Sequence, residues 1–135
     1  FIFRFCILLV LLFMNLLLLD DEFHVRKKLM QKIDWKTLGI DRLLEAGDGE
    51  QGYELAVNEP IDIIISDIRM PEMRGDGFLE WIKSNQLFKH IPVIMLSSED
   101  STTERIRLLQ EGAEDYIVKP FNPMELKVRI KKIIE

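Results

Sequence analysis

The sequence is poor in the residue types that form disulfides, zinc sites and histidine-metal centres. It has one cysteine, Cys6, and two histidines, His24 and His90, that lie far apart in the chain. One cysteine excludes an internal disulfide, and so few thiol and imidazole ligands argue against a zinc or histidine-metal site. No serine-histidine-aspartate or cysteine-histidine set is available for acyl chemistry. This composition suits a protein of the reducing cytoplasm.

The sequence also lacks an excess of positive charge. Its 135 residues carry a formal net charge of −5. A segment with this charge is not expected to bind nucleic acid directly, because contact with the phosphate backbone needs a basic surface. Hydrophobic residues make up 47% of the chain and charged residues 30%, which indicates one globular domain with enough apolar material for a core.

The one long apolar run lies at the N-terminus. Residues 1–19 are apolar except for one Arg and one Asn, and a membrane-spanning helix needs about 20 such residues. However, the acidic residues that follow can reach the edge of a sheet only if 16–19 form a strand. That leaves residues 1–14 too short to span, and we consider three hypotheses for them: the end of a membrane tether, a signal-like segment, or a non-native leader. Residues 15–135 form the predicted domain.

Short apolar stretches alternate with amphipathic stretches along the rest of the chain. Strands are predicted at 16–19, 40–46, 61–66, 91–97 and 114–118. Helices are predicted at 23–33, 47–58, 75–85, 101–112 and 123–135. Strands and helices that alternate through short connections predict an α/β fold, a doubly wound five-stranded parallel sheet with helices on both faces.

The fourth predicted helix carries signals for both of its ends. Ser101 is a candidate N-cap, and Glu104, three residues further on, is the partner of a capping box. Gly112 is expected to end the helix, because glycine tolerates the backbone conformation that follows a helix C-terminus.

Polar side chains follow four of the predicted strands: Asp20 and Asp21, Asp67, Ser97, and Lys119. Because the carboxyl ends of parallel strands meet at one edge of a sheet, we expect these side chains to converge. Crowded carboxylates repel one another unless a cation holds them, and Mg²⁺ prefers carboxylate, water and phosphate oxygens. The lysine and the hydroxyl supply what a phosphoryl group needs. The remaining nucleophile is a carboxylate, which can form an aspartyl phosphate.

Four segments resemble a known family. The pieces "LLLLDDE", "DIIISDIRMPEM", "HIPVIMLSS" and "GAEDYIVKPF" are spaced as in the receiver domains of bacterial two-component response regulators, and residues 16–135 resemble that family. The resemblance implies the flavodoxin-like strand order 2-1-3-4-5. It also implies a phosphorylated signalling switch rather than an enzyme, which assists its own phosphorylation and dephosphorylation. A histidine kinase or a histidine phosphotransfer protein would donate the phosphoryl group.

The resemblance assigns the acceptor and the metal ligands. Asp67 would be the phosphoacceptor. Asp21 would bind Mg²⁺ directly with Asp20 assisting, and Asp67 and the backbone carbonyl of Arg69 would complete the protein ligands. Mn²⁺ is the alternative ion.

The resemblance also assigns the residues that respond to phosphate. Ser97 would be the switch hydroxyl, Tyr116 the switch aromatic residue, and Lys119 the lysine that pairs with the phosphate. A cis bond between Lys119 and Pro120 would aim the lysine inward. The face built from the fourth helix, the fifth strand and the fifth helix would then change shape and bind an output domain or a second copy of the chain.

The sequence departs from the family pattern beside the acceptor. Arg74 stands where the family usually has Asp or Asn before Gly, and Asp76 and Gly77 are added after it. Arg69 and Glu99 each lie two residues beyond a site residue. We hypothesise that these two side chains pair across the mouth of the site and form a gate that hinders the water that hydrolyses the acyl phosphate.

Three alternatives share this fold or part of this pattern. A flavodoxin needs hydroxyl and backbone donors in its phosphate loop, whereas the acidic residues 20–22 would repel a phosphate. A haloacid-dehalogenase-type phosphatase has two acidic residues separated by one position, whereas Asp20 and Asp21 are adjacent. The third alternative is a receiver-like interaction module that is never phosphorylated. The complete acidic, hydroxyl and lysine set argues against it.

Overall fold

Five parallel strands form the centre of the molecule. The computed structural model describes residues 14–70 and 74–134. The strands are β1 (Asn15–Leu19), β2 (Arg42–Ala46), β3 (Ile63–Asp67), β4 (Val93–Ser97) and β5 (Asp115–Val118). They pair in parallel in the order β2-β1-β3-β4-β5. This arrangement confirms the predicted sheet and its strand order.

Five helices cover the two faces of this sheet. They are α1 (Phe23–Lys32), α2 (Gly49–Asn58), α3 (Gly75–Ser84), α4 (Thr102–Gln110) and α5 (Pro123–Ile134). Buried residues of α2, α3 and α4 pack on one face of the sheet, and those of α1 and α5 pack on the other. The described part of the chain therefore has the doubly wound architecture that the alternating pattern predicts.

The central strands are buried on both faces. Leu17 and Leu19 of β1 point into one apolar cluster, whereas Leu16 and Leu18 point into the other, and all four are fully buried. Burying a leucine side chain stabilises a fold by about 1.5–3 kcal/mol. The strand that leads to Asp20 is therefore held in place by some of the strongest packing in the molecule.

Three strands begin two residues later than the sequence predicts. Ile40, Ile61 and Ile91 were expected to open β2, β3 and β4, but these strands begin at Arg42, Ile63 and Val93. Each of the three isoleucines is nonetheless buried. The apolar pattern reports burial, and burial extends beyond the residues that pair in the sheet.

The ends of α4 are capped largely as expected. The Ser101 hydroxyl accepts a hydrogen bond from the Glu104 backbone N–H at 3.3 Å. The Glu104 carboxylate does not close the predicted capping box; among the described residues it accepts instead from the Arg107 guanidinium, at 2.8 and 3.3 Å. Gly112 has φ of 111° and donates its N–H to the Leu109 carbonyl at 3.1 Å, so it ends the helix in the left-handed region that glycine tolerates.

The N-terminal apolar run is described only from Met14 onward. Among residues 14–70 and 74–134, no helix combines the length and the hydropathy that a membrane span requires. The hypotheses of a tether, a signal-like segment or a leader concern residues 1–14, which lie outside the described part of the chain except for Met14.

Candidate functional site

The predicted site residues meet at the carboxyl edge of the sheet. Asp20 and Asp21 follow β1, Asp67 is the last residue of β3, Ser97 is the last residue of β4, and Lys119 follows β5. Because β1 pairs with β3 and β3 pairs with β4, these residues come from adjacent strands. The strand order thus brings together side chains that are distant in the sequence.

Three carboxylates form the acidic part of the site. Asp20, Asp21 and Asp67 each offer an oxygen within 4.8 Å of the other two. Asp20 and Asp67 are buried, whereas Asp21 is exposed. Several carboxylate oxygens with one open side are the donor set that a hard divalent cation such as Mg²⁺ prefers. The residues present therefore fit this ion.

Lys119 bridges two of the carboxylates. Its Nζ lies 2.8 Å from Asp20 Oδ2 and 3.4 Å from Asp67 Oδ2. The peptide bond between Lys119 and Pro120 is cis, as the resemblance implies. A single ammonium group therefore partly neutralises the acidic cluster.

Burial and neighbouring charges shift the pKa values of Asp67 and Lys119. Burial raises the pKa of the Asp67 carboxyl above its ordinary value; the Lys119 charge opposes this shift and the Asp20 charge adds to it. Burial acts to lower the pKa of Lys119, but the hydrogen bond and the charge of Asp20, together with Asp67, outweigh burial and raise that pKa. The site therefore favours a charged lysine and penalises the charged form of Asp67.

Asp20 is held by hydrogen bonds on all of its polar groups. Its backbone N–H donates to the Ala46 carbonyl at 3.1 Å, and its Oδ1 accepts from the Glu22 N–H at 2.9 Å. Its Oδ2 pairs with Lys119, and its backbone carbonyl accepts from Nη1 of Arg26. The residue that starts the acidic loop thus has little freedom to move.

A chain of hydrogen bonds leads from Ser97 to Tyr116. The Ser97 Oγ accepts from the Glu99 N–H at 3.0 Å, and the Tyr116 hydroxyl donates to the Glu99 carbonyl at 2.5 Å. The Tyr116 ring is buried, and the Arg105 guanidinium lies 5.4 Å from the ring centroid. The two residues that the resemblance assigns to switching are therefore linked through one backbone segment.

Arg69 and Glu99 form the ion pair that we hypothesised. The Arg69 Nη2 contacts the Glu99 Oε1, and both side chains are exposed. Arg69 follows β3 and Glu99 follows β4, so the pair connects the loops on two sides of the site. Its effect on hydrolysis stays a hypothesis.

Sequence reasoning missed Arg26. Nothing in the sequence motifs assigns it a role, but its guanidinium contacts the acidic loop. The signal was in the spacing: Arg26, Leu29 and Ile33 stand at i, i+3 and i+7, so the arginine shares the helix face that packs on the sheet.

Among the described residues, one cavity borders the site and another lies on the face built from α4, β5 and α5. One, of about 360 Å³, separates α1 from the segment after β5; it is lined by Val25, Leu29, Pro120 and Phe121 and borders Lys119. The other, of about 450 Å³, lies on the face built from α4, β5 and α5 and includes residues that contact Tyr116.

Comparisons with curated proteins agree with this geometry. A family model for the response regulator receiver domain matches residues 16–131. The chemotaxis protein CheY1 of Helicobacter pylori is 35% identical over 122 residues, which cover 90% of this chain and 97% of CheY1. The transcriptional regulatory protein SrrA of Staphylococcus aureus is 34% identical over 120 residues, which cover 89% of this chain and 47% of SrrA.

Solved structures give the same result. The receiver domain of the Francisella response regulator 1452 has a TM-score of 0.78 and 31% identity, covering 90% of this chain and 98% of that chain. CheY of Borrelia burgdorferi, solved in a CheX-CheY-BeF3-Mg complex, has a TM-score of 0.79 and 30% identity, covering 90% of each chain. The strand order, the acidic cluster and the family match all indicate that the chain belongs to the response regulator receiver domain family.

Proposed function

We propose that this receiver domain is a phosphoacceptor switch and that Asp67 is the acceptor. The observation that carries the proposal is the convergence of Asp20, Asp21 and Asp67 around the Lys119 ammonium at one sheet edge. This set combines a nucleophile, cation ligands and a fixed positive charge, which are the groups that phosphoryl transfer needs. A histidine kinase or a histidine phosphotransfer protein is the proposed donor.

In the proposed reaction an Asp67 carboxylate oxygen attacks the phosphorus of a phosphohistidine. The phosphorus–nitrogen bond breaks, its electron pair stays on the histidine ring, and an acyl phosphate forms on Asp67. Asp20, Asp21, Asp67 and the backbone carbonyl of Arg69 would hold Mg²⁺ or Mn²⁺. When bound, such an ion neutralises charge on the phosphoryl oxygens.

Lys119 and Ser97 are proposed to stabilise the new phosphoryl group. The Lys119 Nζ already lies 3.4 Å from Asp67 Oδ2, so it can pair with oxygens attached there. The buried Ser97 hydroxyl accepts from the Glu99 N–H, and its own proton can be donated to a phosphoryl oxygen. The chain thus assists the transfer of a phosphoryl group onto its own side chain.

The proposed output is a change on the face of α4, β5 and α5. The phosphoryl group carries roughly −1.5 to −2 charges beside Ser97, where the Asp67 carboxylate carried one, and it adds new acceptor oxygens. Movement of Ser97 would disturb the backbone of Glu99, to which the Tyr116 hydroxyl is bonded. This face carries exposed apolar side chains, Ile106, Leu109 and Val128, among charged residues. It is the proposed binding surface for an output domain or for a second copy of the chain.

The apolar groove beside α1 is the proposed approach for the phosphodonor. Its lining by Val25 and Phe121 and its position next to Lys119 place an apolar contact surface beside the acceptor. Ser98, at the rim, is small and exposed, so it leaves room for a donor.

The first experiment is intact-mass measurement after incubation with Mg²⁺ and acetyl phosphate. We expect a gain of one phosphoryl group in the wild-type chain, and no gain in Asp67→Asn or with a chelator. Asp100→Asn is the matched control, because Asp100 is an exposed carboxylate near the same edge. No gain from acetyl phosphate or from a phosphohistidine donor would overturn the proposal and favour an interaction module that is never phosphorylated.

The same assay tests the gate. The decay of the acyl phosphate is followed after removal of the donor, in wild type and in Arg69→Ala and Glu99→Ala. Faster hydrolysis in both variants is expected, because the pair connects the loops beside Asp67. An unchanged decay rate would mean that the ion pair does not act as a gate.

A further inference from the structure

Arg26 links three parts of the molecule at the acidic site. Its side chain is only 14% exposed although it lies on the outer helix α1. The Nε donates to Glu45 Oε1 on β2 at 3.1 Å, and the Nη1 donates to the backbone carbonyl of Asp20. The guanidinium therefore connects α1 and β2 with the loop that carries two of the site's carboxylates.

The contact with the Asp20 carbonyl determines where the next residue lies. The Asp20 carbonyl and the Asp21 N–H belong to one planar peptide unit, so fixing the oxygen fixes the whole plane. The N–H and the carboxylate of Asp20 are already bonded to Ala46, Glu22 and Lys119. The remaining freedom is rotation of the peptide plane after Asp20, which sets the position of the Asp21 Cα.

The Asp21 carboxylate has no comparable support of its own. It is exposed, and within the described residues it takes part in no hydrogen bond or ion pair. Its direction therefore depends on the backbone that carries it.

We propose that Arg26 is a positioning residue that holds the Asp20–Asp21 peptide plane and so presents the Asp21 carboxylate to the divalent cation. This inference rests on the proposed function, because it concerns the cation site of the phosphorylation reaction. Arg26 does not touch the cation ligands' carboxylate oxygens; it acts through the backbone carbonyl of Asp20.

Simple electrostatics predicts a change in Mg²⁺ affinity in the opposite direction, so the direction of the measured change tests the inference. A guanidinium beside a cation site repels the cation, so removing its charge should strengthen Mg²⁺ binding. If Arg26 positions Asp21, removing it should weaken Mg²⁺ binding instead. Loss of a group that orients metal ligands typically costs 10- to 100-fold in affinity, and we expect roughly 10-fold here.

The test is calorimetric titration of the full chain with Mg²⁺, comparing wild type, Arg26→Gln and Arg26→Lys. We expect weaker binding in both variants, with a smaller loss in Arg26→Lys, whose ammonium can still reach one acceptor. Charge alone would give tighter binding in Arg26→Gln and unchanged binding in Arg26→Lys, and either result would overturn the inference. Thermal unfolding in a chelator checks that the variants are folded. If Arg26→Gln does not fold, the Mg²⁺ affinity of Arg26→Lys alone tests the inference.

The matched control is Arg42→Gln. Arg42 also forms an ion pair from β2, with Glu59 at 3.2 Å, but at the amino end of that strand. It should leave Mg²⁺ affinity unchanged; an equal loss there would also overturn the inference. A wild-type chain that binds no Mg²⁺ would overturn the proposed function together with this inference. If the wild-type chain binds Mg²⁺ and is phosphorylated but the Arg26 variants bind Mg²⁺ equally well, the inference is overturned and the proposed function stands.

Discussion

The folded protein penalises the charge of Asp67. Its carboxylate is buried, lies beside Asp20, and is only partly compensated by the Lys119 ammonium at 3.4 Å. Burial is the largest contribution to its raised pKa. The native fold therefore bears a cost for keeping this group ionised at neutral pH.

Asp67→Asn should therefore stabilise the fold in the absence of divalent cations. The substitution removes the charge but keeps an oxygen that can accept from the Ile68 N–H, a bond of 2.9 Å in the native chain. We expect a gain in the free energy of unfolding at pH 7, because the substitution removes the buried charge that the fold penalises. Urea denaturation in a chelator measures it.

The pH dependence provides the control for this prediction. A carboxyl with a raised native pKa is neutral in both states below its ordinary value of 3.8, so its cost is absent there. The loss of folding free energy develops as pH rises from 3.8 through the raised native pKa, and it reaches its full size above the native pKa. The advantage of Asp67→Asn should shrink as pH falls toward 3.8 and vanish well below that value. A variant that is less stable than wild type at pH 7 would show that Lys119 more than compensates the charge.

At the scale of the elements, α2 packs unusually close to β1. A Cβ atom placed on Gly52 of α2 would lie 2.4 Å from Leu19 Cδ2 and 3.3 Å from Phe78 Cε2. Both of these side chains are fully buried, so they have little room to move away. The glycine thus sets the distance between α2 and the strand that leads into the site.

Gly52→Ala should therefore destabilise the protein, although alanine is the better helix former. Overpacking a buried contact costs about 1–3 kcal/mol, which exceeds the helix-propensity gain of roughly 1 kcal/mol. Thermal unfolding measures the net effect. Gly47→Ala is the matched control, because its added Cβ would meet other atoms only at 3.5 Å or more. A Gly52→Ala protein as stable as wild type would mean that Leu19 can repack at no cost.

The sequence predicts the strands, the helices and the identity of the site's side chains better than it predicts which hydrogen bonds those side chains form. Runs such as the one before Asp67 report burial, and alternation of strands and helices predicts a parallel sheet, so the convergence of Asp67 and Lys119 at one sheet edge could be predicted. The strand order came from the family resemblance. Arg26 could not be assigned a role, because its partner is a backbone carbonyl. Every residue has a backbone carbonyl, so the sequence gives no signal that identifies the partner. Glu104 was misassigned because two donors, the Ser101 N–H and the Arg107 guanidinium, were available to one carboxylate, and the carboxylate accepts from Arg107.

At the scale of the whole molecule, a short series of contacts connects the site with the face built from α4, β5 and α5. It runs from the Ser97 hydroxyl through the backbone of Glu99 to the Tyr116 hydroxyl, and Arg105 of α4 lies beside the Tyr116 ring. A change at the end of β4 can therefore reach α4 and β5 through two hydrogen bonds and the Tyr116 ring. A substitution at Ser97 should therefore leave phosphorylation intact and weaken the structural response of α4 and β5.

Ser97→Ala should still be phosphorylated but should transmit little of the change. Asp67 and Lys119 remain, whereas the hydroxyl that accepts from the Glu99 N–H is lost. Hydrogen exchange of α4, measured with and without beryllofluoride and Mg²⁺, should respond strongly in wild type and weakly in this variant. Ser98→Ala, at the exposed neighbouring position, is the control and should respond as wild type does. A full response in Ser97→Ala would rule out this path.

The ion pair between Lys119 and Asp20 joins residues 99 positions apart. During synthesis, at about 5–20 residues per second, the acidic residues leave the ribosome several seconds before their lysine. A nascent chain that ends before β5 therefore carries a crowded set of carboxylates without the ammonium group that partly neutralises them. The site becomes complete only when the last strand has joined the sheet. Chains that stop early should accordingly be poor competitors for the phosphodonor of their finished counterparts.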